Sequence, residues 1–271
     1  MAPAQTTASE ESRTVVKLLV YGLQNSGATL FTYFAAQRPG SLVLPDLWSM
    51  YAAPRWSPRA DAAVKAVVTT AFPLALHRER FRPDATVLVI RRPLDNFASL
   101  AGKPFRNHDG LIEEKFALAD RAFRERAGLD AVIRFEDFVA RPAAAAATLA
   151  ALGWAVPDDA AGFPRSARAI EADLWRDARE IYGRIEWGTG NARLGPLARV
   201  RLTMLEEPAA RRFAETHAPS LTAAYDADPP ANARRVTRPE AAQGEADILR
   251  AEEHAGRLAA LFESALAARD L

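Results

Sequence analysis

The sequence predicts an α/β protein: a P-loop-type three-layer sandwich with a central parallel sheet flanked by helices, plus a C-terminal helix. Three observations point there. Short runs of β-branched and aliphatic residues alternate with longer stretches of helical periodicity. The strand-like runs are almost continuously apolar, as parallel strands covered on both faces must be. Glycine- or proline-bearing turns join the end of a strand directly to the start of a helix.

The elements follow in order. Residues 1–13 are small and polar, with Glu10 beside Glu11, and read as a disordered leader without the apolar core of a secretory signal. Val15-Val16-Lys17-Leu18-Leu19-Val20-Tyr21 is the first strand, and 63–69, 86–90 and 131–135 are further ones. Helices are expected over 28–37, 93–102 and 111–127, the last with Ile112, Phe116, Ala119 and Phe123 at helical spacing. An alanine-rich helix over 142–152 closes at Gly153. These elements belong to a single domain over 14–228, whose less regular part, 156–228, reads as a covering segment rather than core. A linker is expected at 229–243, after Asp228-Pro229-Pro230, and an amphipathic helix at 244–271, with Ile248, Ala251, Ala255, Leu258, Phe262 and Ala265 on one stripe. That stripe would dock on its own domain or join copies in a homo-oligomer.

Composition narrows the function. Among 271 residues, 35 Lys plus Arg balance 34 Asp plus Glu, so no broad positive field exists to draw in nucleic acid. The absence of cysteine excludes disulfides, thiolate-held metals and a thiol nucleophile. The four histidines are scattered with no H-x-x-x-H spacing, so no metal is expected. No apolar run approaches the ~20 residues that a membrane helix needs, and a cytoplasmic location is expected.

Two motifs carry chemistry. Gly22-Leu23-Gln24-Asn25-Ser26-Gly27-Ala28-Thr29 lies between the first strand and the first helix. A strand-to-helix turn presents unpaired backbone N–H groups at the positive end of the helix dipole, a docking point for a phosphate or sulfate. The spacing is that of a nucleotide P-loop, with Ala28 in place of its lysine, which argues against ordinary ATP chemistry. No acidic residue occurs between Ser12 and Pro45 to repel an anion. The second motif, Arg91-Arg92-Pro93-Leu94-Asp95-Asn96-Phe97-Ala98-Ser99, places Arg91 at the carboxyl end of a strand and Ser99 nearly two turns into the next helix. A guanidinium fork and a hydroxyl together suit a monophosphate.

Together these motifs resemble the sulfotransferases that use 3'-phosphoadenosine-5'-phosphosulfate (PAPS). That family has a lysine-poor P-loop for the 5'-phosphosulfate and an R-x-P-x-D-x-x-x-S unit for the 3'-phosphate, present here as Arg91, Pro93, Asp95 and Ser99. The likeness continues through Arg134-Phe135-Glu136-Asp137, where the two acids would cap a helix, and more faintly to Arg193 and Gly195 in a cofactor-covering loop. It implies PAPS as cofactor, bound by Gly22, Gln24, Asn25, Ser26, Gly27, Ala28, Thr29, Arg91, Ser99, Arg193 and Gly195. It also implies sulfuryl transfer to a hydroxyl or amine of a small molecule or glycan.

The chain departs from the family at two catalytic positions. Asn25 stands where the family carries Lys or Arg just before Ser-Gly, and an amide cannot neutralise charge. Lys103 is the first substitute by position and Lys65 the second. The family's strand-end histidine is replaced by Val67-Val68-Thr69-Thr70, so Asp46 is the first candidate base and His108 the second. His77, in an arginine-rich turn, is expected to face solvent. Trp48, Tyr51, Trp56 and Phe105 would line an acceptor pocket or belong to the core. The alternatives are a PAPS- or PAP-binding protein without catalysis and a P-loop phosphotransferase.

Overall fold

A computed structural model describes residues 15–183, 195–230 and 233–237. Five parallel strands form the sheet: β1 (Lys17–Gly22), β2 (Leu42–Leu44), β3 (Ala62–Val67), β4 (Ala85–Ile90) and β5 (Ala131–Arg134), in the order β2-β3-β1-β4-β5. β1 is central, with Leu19 opposite Val64 of β3 on one side and Thr86 of β4 on the other. Apolar residues fill both faces because each face is covered. Leu18, Val20, Val87 and Val89 pack with Phe31, Phe34, Phe138 and Trp154, whereas Leu19, Tyr21, Leu88 and Ile90 pack with Leu100, Phe116, Leu221 and Tyr225. The period-two alternation along β1 and β4 thus splits one apolar run between two cores.

Helices α1 (Ala28–Ala35), α5 (Phe135–Ala140) and α6 (Pro142–Ala151) cover the first face. Helices α2 (Leu74–Phe81), α3 (Pro93–Ala101) and α4 (Ile112–Glu125) cover the second. The helices that follow the neighbouring strands β1 and β4 therefore lie on opposite faces, which opens a crevice at the carboxyl ends of those two strands.

Beyond α7 (Ala167–Asp177) and the short α8 (Arg179–Tyr182) come β6 (Thr203–Glu206), α9 (Pro208–His217), α10 (Pro219–Ala227) and β7 (Arg234–Thr237). Here the structure differs from the expected cover. Leu221 and Tyr225 of α10 are core residues, and the Phe213 ring of α9 stacks on Phe97 at 3.9 Å between centroids. The helices are short and polar outside, so their apolar side chains look sparse in sequence while completing the layer over α3 and α4. Within the expected linker, Arg234–Thr237 pairs in parallel with β6. β2 and α2 were too short to stand out by periodicity. His77 of α2 is fully buried rather than solvated, its Nδ1 accepting the Ala53 N–H at 3.0 Å. Residues 1–13, most of the 229–243 stretch and the expected terminal helix lie outside the described residues. Among the described residues no helix is long and apolar enough to cross a membrane, and no His, Asp and Glu cluster could hold a metal ion.

Candidate anion-binding site

The loop between β1 and α1 is shaped by two glycines. A side chain at Gly22 would place its Cβ 2.7 Å from the Val89 carbonyl oxygen, so the end of β1 can lie this close to β4 only with glycine. Gly27 has φ +89°, and a Cβ there would sit 2.1 Å from the Phe135 ring. Asn25 also takes the left-handed conformation, with φ +61°, which asparagine tolerates better than most residues. The loop then enters α1, whose first turn carries no acidic residue and whose first N–H groups have no carbonyl a turn below them. Ser26 is 1% exposed, and its Oγ has no hydrogen-bond partner among the described residues. An orphaned hydroxyl beside a helix N-terminus fits an anion of the phosphate or sulfate type. Ala28 and Thr29 open α1, Ala28 buried and Thr29 half-buried.

The fold joins the two motifs. Asn25 Nδ2 donates to the Ser99 carbonyl oxygen at 3.0 Å, and Arg91 donates to the Asn25 carbonyl oxygen at 3.2 Å. The Arg91 guanidinium also lies over the Phe135 ring, 5.5 Å from its centroid. Residues 66 and 74 positions apart in sequence thus meet across the crevice between β1 and β4.

The rest of the second motif serves the scaffold. Arg92 is 2% exposed and donates to Asp95, to the Leu205 carbonyl and to Glu206. Asp95 in turn accepts the Leu205 N–H at 2.7 Å, fastening β6 to α3. Burial pushes the Asp95 carboxyl above its ordinary range, against the pull of the Leu205 N–H and Arg92. Glu136, expected as a helix cap, instead accepts the Arg92 N–H at 3.0 Å and the Tyr225 hydroxyl at 2.8 Å. Asp137 pairs with Arg141 at 2.9 Å. Both acids stand in the first turn of α5, and Glu136 in addition ties α5 to the start of α3 and to α10.

The candidate catalytic residues fall in three places. Asp46 and Lys65, proposed for opposite roles, form an ion pair with each other at 2.6 Å. Lys103 is exposed on the turn after α3. His108 is half-buried on the segment before α4; burial lowers its pKa below 6.5, Asp109 opposes this and Lys115 adds to it. Gly195 is described, but a Cβ there would meet no atom of the described residues within 4 Å, and Arg193 lies outside the described residues. Trp56 is core, Tyr51 and Phe105 are half-buried, and Trp48 is 45% exposed.

One residue at the site escaped the sequence reading. Lys115 of α4 is fully buried and donates from Nζ to the Arg106 carbonyl at 3.0 Å and to Gln24 Oε1 at 3.2 Å. Its signal was present: a lysine three residues after Ile112 and four before Ala119 falls on the apolar face of α4.

No family model matches the chain, and no curated protein does. Among solved structures, the chain is similar to mouse sulfotransferase SULT7A1 complexed with PAP, at 13% identity and a TM-score of 0.35. The match covers 58% of this chain and 66% of that one. The α/β class rests on the sheet itself.

Proposed function

We propose that the chain is a PAPS-dependent sulfotransferase acting on a hydroxyl or amine of a small molecule or glycan. The observation that supports this most is the joining of two anion motifs, through Asn25, Arg91 and Ser99, at the crevice between β1 and β4. A nucleotide with phosphates at two positions needs two such sites side by side. In this reading the loop 22–29 holds the 5'-phosphosulfate on its backbone N–H groups and the Ser26 hydroxyl. Arg91 and Ser99 hold the 3'-phosphate.

PAPS supplies an activated sulfuryl group. In the transfer, the bond from sulfur to the phosphate oxygen breaks and its electron pair leaves with that oxygen, while the acceptor oxygen or nitrogen bonds to sulfur and releases its proton. The residue assigned to take that proton is His108, whose pKa burial lowers, favouring the neutral imidazole that a base must be. Asp46, the other candidate, is engaged by Lys65.

Calorimetry with PAP, AMP and magnesium-ATP tests the reading. PAP should bind most tightly, and Arg91→Ala should weaken it by about 2 kcal/mol, with a smaller loss for AMP. The AMP loss is not zero, because Arg91 also steadies the Asn25 carbonyl. No PAP binding, or tighter binding of magnesium-ATP, overturns the proposal. Tight PAP binding with no turnover of PAPS across a broad acceptor panel would instead make the chain a non-catalytic binder.

A further inference from the structure

A buried ammonium is costly unless something compensates its charge. Lys115 has no carboxylate at ion-pair distance among the described residues; its Nζ meets only neutral oxygens, the Arg106 carbonyl and Gln24 Oε1. Ile112, Phe116 and Ala119 are buried beside it, and the one other buried charged residue of α4, Asp120, accepts the Leu221 N–H of α10 at 2.7 Å, so a leucine or methionine would fill the position of Lys115. Gln24 belongs to the loop between β1 and α1 and directly precedes Asn25, where a cation is missing. The uncompensated charge therefore sits against the loop that is shaped for an anion.

We propose that Lys115 supplies the positive charge for the anion docked on the 22–29 loop, reaching it from α4, with Gln24 as the residue that holds the ammonium toward the loop. The proposal rests on the sulfotransferase reading for the identity of that anion, the 5'-phosphosulfate. The charge would then stabilise the phosphate oxygen that takes up negative charge as sulfuryl leaves, the task for which Asn25 is unsuited. Burial pulls the Lys115 pKa down to about 8, with Asp109 opposing. The charged groups acting on it sit on the segment before α4: Asp109, and His108, whose own pKa Lys115 helps to lower. Gln24 on the loop is neutral, and no charged group of α9 or α10, which also pack on α4, acts on it among the described residues.

The test is PAP affinity of the full chain by calorimetry from about pH 7 to pH 9.5, above the titration of His108 and of the phosphates. Wild type should lose about tenfold in affinity across that range as Lys115 gives up its proton. K115M should bind about tenfold more weakly at pH 7 and show no further loss, while its thermal midpoint holds or rises, since an uncompensated buried charge is gone. K115R, charged throughout, should keep affinity within a few-fold and lose the pH dependence. Wild-type affinity and the wild-type pH profile in folded K115M overturn the inference, as does a fall in thermal midpoint with binding unchanged. If K115M does not fold, a K115R profile identical to wild type overturns it. The underlying reading fails separately: a wild type that binds inorganic sulfate with this Lys115-dependent profile, but not PAP, keeps the cation and discards the nucleotide.

Discussion

Replacing His77 with asparagine should remove a pH-dependent part of the stability of this fold. His77 is fully buried on α2, beside Tyr21 and Phe72, and its Nδ1 accepts the Ala53 N–H, so the ring proton resides on Nε2. Charging the ring must place a cation in the core and turn the acceptor at Ala53 into a donor. Burial accordingly lowers its pKa from 6.5 to about 4. The unfolded chain takes up the proton near 6.5 and the folded chain only near 4. The contribution is therefore complete above pH 6.5 and is lost as pH falls through that window. The gap is worth about 3 kcal/mol when fully developed and roughly 2 kcal/mol at pH 5. His77→Asn keeps an acceptor near Ala53 and cannot titrate. Urea unfolding of both proteins at pH 7 and pH 5 isolates the effect, because the burial-raised carboxyls Asp95 and Glu136 titrate alike in each. The stability difference between wild type and variant should shift by about 2 kcal/mol toward the variant at pH 5. A difference that is the same at both pH values refutes the reasoning.

Two further pairs of substitutions separate scaffold from site. Gly27→Ala should cost about 2 kcal/mol or more, from the left-handed backbone and the contact with Phe135, and should abolish anion binding. Gly40→Ala, at φ +70° with none of the described residues within 4 Å of the new Cβ, should cost only about 1 kcal/mol in the same denaturant assay. Equal costs would mean that Phe135 yields freely. Arg92→Met should destabilise the fold by about 3 kcal/mol, because it leaves buried Asp95 and the Leu205 carbonyl without their cation, whereas Glu206→Gln, with a half-exposed side chain, should cost under ~1 kcal/mol. Thermal melts of the two variants would overturn this assignment if Glu206→Gln proved the more damaging.

The sheet and its main helices were legible because their signals are local. A covered parallel strand is apolar along its length, proline starts α3, and Gly27 marks the turn into α1, whatever the rest of the chain does. The two candidate-site motifs were legible for the same reason, each being one strand, one turn and one helix. The short elements were not: three residues of β2 carry too little pattern, and α9 and α10 make sense only once α3 and α4 are in place to receive Phe213 and Leu221.

What the tertiary structure alone decided is which distant groups meet. Asp46 and Lys65 look in sequence like a base and a cation, yet at 2.6 Å they satisfy one another. Glu136 looks like a helix cap, yet its carboxylate finds Tyr225 across 89 residues. Lys115 looks like one more helix lysine, yet packing turns it inward to Gln24 across 91 residues. Periodicity states which face of an element is buried, and by itself the sequence determined that much here. The charge state and partner of a buried side chain depend on what the opposing element brings to that face, and that is set only when the layers close.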